Sequence, residues 1–156
     1  LTQHIPSVGN VYISVNCVKI VGDIKDINSS SSQWSIIIPL RSIKHRSLFS
    51  VITAVVSSFI YSTLYGAKIA KKSWIEPILY LEGERNIKRV IDKYELRVGD
   101  IALFIVISMT KPLPVESSSI TRLPKNVCID MLKEIPIDKK DITRISTFPI
   151  RERILK

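Results

Sequence analysis

From Ser47 to Ala67 the chain carries no charged residue, and Arg46 and Lys68 bracket the run. A bilayer span needs about 20 mostly apolar residues, so this segment belongs either in a membrane or inside a folded domain. Helical spacing separates the two. Leu48, Phe49, Ile52, Val55, Val56, Phe59 and Ile60 share one face, while Ser47, Ser50, Thr53, Ser57, Ser58 and Ser62 gather on the opposite arc. A hydroxyl stripe has no use against lipid and suits a helix packed on a sheet. The expectation is a buried helix that stops near Gly66. A membrane-associated small protein anchored through 47–67 is the alternative.

Strands and helices alternate around that helix. Val11 to Val21 is rich in β-branched residues and reads as one or two strands ending near Gly22-Asp23. Asn28 to Ser32 reads as a polar loop, and Trp34 to Leu40 as a short strand or turn closed by Pro39. Trp74 to Leu81 looks like a strand in which Pro77 marks an edge or a bulge, or like a helix that becomes strand after Pro77. Ile87, Val90, Ile91 and Tyr94 then recur at helical spacing, with Arg85, Lys88, Arg89, Asp92 and Lys93 on the solvent side. Ile101 to Ile107 is a continuous apolar strand covered on both faces. Val127, Met131, Leu132 and Ile135 form the stripe of a helix opened by Pro124 and closed by Pro136. Asp138 caps a short basic helix, and Thr147 with Pro149 signals a final one. The order of elements predicts a single compact α/β domain of 156 residues, a mixed sheet covered by helices.

Little in the chain points to catalysis. The five glycines are widely spaced, so phosphate-cradling loops are absent. His4 and His45 have no partner at metal-ligand spacing, and both read as surface residues. Glu82 and Glu84 flank Gly83 and adjoin Arg85, which fits a charged loop before a helix better than an acid/base pair. No enzyme, metal or cofactor is expected. Cys17 lies in an apolar run and reads as an ordinary buried thiol; with Cys128 as its only companion, a reducing, cytoplasmic setting is expected. Leu1 to Asn10 has no basic region followed by an apolar stretch, so no secretory signal is expected there.

Charge is the positive signal. Lys and Arg number 23 against 14 Asp and Glu, a net charge of +9 that favours an anionic partner. Lys68, Lys71 and Lys72 precede the central strand, and Arg85, Lys88 and Arg89 follow it, around a helix start placed just after Gly83. If the two groups converge they form a phosphate-binding patch, with Gly83 allowing close approach and Trp74 and Tyr80 as stacking faces for single-stranded bases. Solvated charge and a core tryptophan are the bland alternatives.

Ser47 to Leu103 also resembles a known family. A long apolar helix leads into the basic connector Lys68-Ile69-Ala70-Lys71-Lys72-Ser73. Glu76 follows early in the next element. Then come the junction Leu81-Glu82-Gly83-Glu84-Arg85-Asn86-Ile87 and Val98-Gly99-Asp100-Ile101-Ala102-Leu103. Ala70, Ser73, Glu76, Gly83, Arg85 and Ile87 match the TPRKB (PRPK-binding protein) family, the small kinase-binding subunit of the KEOPS tRNA-modification complex; Pro77 departs from its pattern. The resemblance implies a non-catalytic accessory subunit that binds the N-terminal lobe of an atypical kinase/ATPase. That kinase holds the catalytic subunit that places threonylcarbamoyl on the adenosine beside the anticodon. In archaeal members the subunit also recruits tRNA through its single-stranded 3′ CCA end. On this chain Lys71, Lys72, Gly83, Arg85, Lys88 and Arg89 would contact RNA, and Ile150, Ile154 and Leu155 of the terminal helix would meet the kinase or pack on their own domain.

Overall fold

A strand that alternates between two buried layers organises the domain. In β2 (Gly9–Ile20), Val11, Ile13 and Cys17 face one core, and Val18 and Ile20 face another. The structure, a computed structural model, describes residues 2–5, 9–24, 33–70, 72–112, 115, 117–133 and 135–151, with side chains from Val11 onward except that of residue 133. The loop expected at Asn28 to Ser32 lies outside the described residues.

Among the described residues, five strands make one sheet. β1 (Thr2–Ile5), β2, β4 (Ile101–Ser108) and β3 (Gln33–Pro39) follow in that order, and β5 (Ile120–Leu123) pairs with the far end of β2. β4 is buried on both faces as its apolar run predicts: Leu103, Ile105 and Ile107 point to one core, Ala102, Phe104 and Val106 to the other. Pro39 ends β3, an edge strand where its missing N–H is tolerated.

The expected α/β domain is present, but every described pairing is antiparallel rather than mixed. Among the described residues, three α-helices lie between β3 and β4: α1 (Leu48–Tyr65), α2 (Glu76–Glu82) and α3 (Ile87–Lys93). Together they return the chain to the end of the sheet it left, pairing Ala102 with Pro39; a single crossover helix would have entered parallel. α4 (Lys125–Lys133), α5 (Lys139–Ser146) and α6 (Phe148–Arg151) complete the domain.

α1 starts at the Ser47 cap, whose hydroxyl accepts from the Ser50 N–H, and stops at Gly66 in the left-handed conformation, as the sequence predicts. Its inward face differs from the expected one. Ser50, Val51, Ala54, Val55, Ser58 and Phe59 are buried, whereas Phe49 is 53% exposed. The hydroxyls tolerate burial because they are bonded: Ser47 to Ser50 at 3.1 Å, and Ser58 to the Val55 carbonyl at 3.1 Å. Small side chains at 50, 54 and 58 then let α2 and α5 pack closely on this side. By length and composition α1 is able to cross a membrane, and one third of that window is buried.

Two further expectations change. Met131 is 56% exposed, and Cys128 takes the inward place on α4 together with Leu132. Cys17 is not a free thiol: it is joined to Cys128 in a disulfide that ties β2 to α4 across 111 residues of sequence. Two cysteines that far apart carry no pairing signal in a sequence, and only the sheet brings α4 over β2. On chain-entropy grounds a loop of this length is stabilised by roughly 4–5 kcal/mol. A Cys17→Ala/Cys128→Ala variant should therefore melt lower by about 10 °C or more, measured by calorimetry beside the oxidised protein.

Candidate nucleic-acid interface

The segment expected to bind RNA runs from the 68–75 connector through α2 to α3. It is built around a buried carboxylate. Glu76 is fully buried in the first turn of α2, and its Oε1 accepts the backbone N–H of Ile69 at 2.7 Å and that of Ala70. The connector is thereby folded back onto the helix that follows it. Glu76 Oε2 and the Tyr80 hydroxyl, one turn on, are buried without a hydrogen-bond partner among the described residues. Burial pushes the Glu76 carboxyl up, against the pull of those two N–H groups and of Lys68. Tyr80 is likewise raised by burial and by the nearby Glu76.

Residues 76–82 form a helix, not the expected strand. Glu76 to Leu81 are all buried, so the stretch has no polar face to reveal a period. Pro77 sits in the first turn, where its missing N–H costs nothing. Tyr80, expected as a stacking face for bases, is fully buried with its ring 4.8 Å from that of Phe148, so it has no surface to offer a nucleotide.

Gly83 ends α2 rather than opening the next helix. Its φ of +65° is left-handed, its N–H returns to the Tyr80 carbonyl, and Glu84 donates to Leu79. The next helix begins at Asn86, whose side chain accepts the Arg89 N–H. The bare face of Gly83 is occupied: a Cβ there would collide with the Arg144 guanidinium from α5. Arg144 donates to the Leu81 carbonyl at 2.6 Å and to Asp141 at 2.7 Å. This glycine makes room for an arginine of the same chain.

An ionic network continues from that contact. Arg46, just before α1, reaches Asp141 at 2.5 Å and Glu82 at 4.0 Å, while Lys93 and the Tyr94 hydroxyl both donate to Glu82. Burial acts to raise Glu82, but its bonds from Lys93 and Tyr94 and the Arg46 charge outweigh it and hold the carboxyl low. Asp141 is likewise held low, against burial, by Arg144 and Arg46. Glu84 accepts the Asn86 N–H and lies 3.8 Å from Arg89, so both acids flanking Gly83 hold the junction together. Sequence reasoning foresaw the Asp138 cap of α5 but not Arg46, Asp141 or Arg144, which meet only in three dimensions.

Of the cationic candidates, Lys72, Arg85, Lys88 and Arg89 are exposed, and Lys71 lies outside the described residues. Arg85, Lys88 and Arg89 stand at and just before the start of α3. Lys72 lies instead beside a cavity of about 420 Å³ whose lining includes Trp74, Ile91 and Leu96. In the terminal helix Ile150 is 59% exposed; Phe148 and Pro149 are buried and fasten α6 to the domain. Ile154 and Leu155 lie outside the described residues. His45 is exposed as expected, and the described residues contain no cluster of metal-ligating side chains.

No family model and no curated protein matches the chain.

Two outcomes follow from this geometry. Gly83→Ala should cost at least the 1–2 kcal/mol of a left-handed alanine, and more through the displaced Arg144, measured by urea denaturation. The raised Glu76 binds a proton more tightly folded than unfolded, so it erodes stability as pH rises above its ordinary value of 4.5. Glu76→Gln should flatten that decline toward neutral pH. Acid loss, driven by the depressed Glu82 and Asp141, should remain.

Proposed function

We propose that this chain is a non-catalytic accessory subunit of the KEOPS complex. It binds the atypical kinase/ATPase subunit and, indirectly, the catalytic subunit. It recruits tRNA through its 3′ CCA end, supporting threonylcarbamoyladenosine formation. One observation carries the reading: residues that carry the resemblance are also those that lock one local unit. Ala70 is tied to Glu76, Gly83 closes α2, and the Arg85-Asn86-Ile87 step starts α3 with Ile87 packed on the core. A match in sequence alone would leave these positions free to do unrelated things. Here they hold a connector and two helices while the cations Lys72, Lys88 and Arg89 stay at the surface.

The net charge of +9 supports an RNA partner independently of the resemblance. Ile150, exposed on a helix anchored by buried Phe148, supports a protein contact at the C-terminal end. Anchoring through α1 has less support, since Ser50 and Ser58 face the interior and Arg46 at its start is engaged by Asp141.

The test is a gel shift with intact tRNA and with tRNA lacking its CCA tail. Intact tRNA should bind more tightly, and log affinity should fall with log salt by about 0.7 per phosphate contact on the single-stranded end. Lys88→Ala should reduce that slope by about one contact. Equal affinity for the two RNAs would remove the end-recognition role.

A further inference from the structure

Every other described α-helix contains charged residues; α1, the longest, contains none. Its solvent side is apolar as well as uncharged. Phe49 and Leu64 are exposed, and Ile52, Val56 and Ile60 stand half-buried between them at helical spacing. Thr53 lies in the same strip, and its hydroxyl donates to the Phe49 carbonyl at 2.8 Å, so its one donor is used within the helix. The inward residues Ser50, Val51, Ala54, Val55, Ser58 and Phe59 occupy a different side. Over 18 residues the outward strip runs for about 27 Å. Apolar surface of this extent marks an interaction site.

Charge decides which kind of partner fits. The chain carries +9, and its exposed cations stand on other elements: Lys88 and Arg89 on α3, Lys139 and Lys140 on α5. A polyanion is met by those cations and gains nothing from α1. A strongly cationic partner is repelled by them and approaches closely only across an uncharged face. A second copy of the chain is such a partner. The strip is also self-complementary. Ile52 and Ile60 stand four residues before and after Val56, and Phe49 and Thr63 stand seven before and after. Antiparallel pairing centred on Val56 lays Ile52 on Ile60 and Phe49 on Thr63, each contact occurring twice, as a two-fold axis requires. We propose that two copies of this chain dock through α1, antiparallel, with the two-fold axis beside Val56. A contact along one helix belongs to the small class of interfaces, under ~1,200 Å² in total, so the pair is reversible. At the ends of the strip Arg46 is already paired with Asp141, and Lys68 lies past Gly66, which leaves a residual repulsion that salt screens. The docking goes beyond the RNA reading and does not rest on it.

Sedimentation equilibrium of the full chain, from low micromolar to near millimolar and at about 0.05 and 0.5 M salt, tests the docking. A reversible monomer–dimer equilibrium is expected, severalfold tighter at the higher salt, because screening weakens the repulsion between two +9 bodies. RNA binding responds to salt with the opposite sign. Phe49→Lys, at a 53% exposed position, should weaken the dimer by about tenfold or more at an unchanged melting temperature. Leu64→Lys, also exposed, decides the matter if the first variant does not fold. Crosslinking reads the geometry, since the chain's two cysteines are bonded to each other. Val56→Cys should oxidise to a covalent dimer, and Val98→Cys, exposed in the turn before β4, should not. A monomer at every concentration and both salts overturns the proposal, as does a dimer that both lysine variants leave intact. Flotation of a monomer with neutral phosphatidylcholine vesicles, lost in Phe49→Lys, also overturns it and assigns the strip to lipid.

Discussion

Four helices meet where the Arg144 guanidinium fills the space that Gly83 leaves empty. Arg144 of α5 closes the carbonyl end of α2, Asp141 holds Arg144 and Arg46 together, and Arg46 turns toward Glu82, which takes Lys93 and Tyr94 from α3 and the residue after it. A carboxylate among guanidinium groups is favourable only when its hydrogen bonds replace lost water, and Glu82 and Asp141 each have that replacement. A glycine is needed at the centre for two reasons at once: the left-handed turn, and the absence of a Cβ. The helical layer is thus fixed by polar chemistry at one end, while the sheet beneath it is fixed by apolar burial.

That division explains what the sequence disclosed. Elements with one period and one buried side were legible: β2 with its two-residue alternation, β3 up to Pro39, α1 up to Gly66, α3 from its Ile87-Val90-Ile91-Tyr94 face, and the Asp138 cap. β4 was legible for the opposite reason, as an unbroken apolar run between two cores. α2 was not, because Glu76 to Leu81 are buried on every side and a short apolar run looks the same as helix or strand. β5 is four residues long and exists through its pairing with β2. The inward face of α1 was misjudged because serine was counted as polar, although its hydroxyl is satisfied by its own helix.

For the candidate site, positions were legible and surroundings were not. Lys72, Lys88 and Arg89 are at the surface as charge alone suggests. That Gly83 would be filled by an arginine 61 positions later, or that Trp74 would share a cavity with Ile24 and Leu96, depends on chain segments joined only by folding.

The bond between Cys17 and Cys128 has a topological consequence. β2 and α4 lie near opposite ends of the chain, and the link encloses β3, β4, β5 and the first three helices in a covalent ring. A protease that cuts once anywhere inside this ring opens it without separating the fragments. The nicked molecule keeps its mass apart from one added water, and its two pieces part only after a thiol is added.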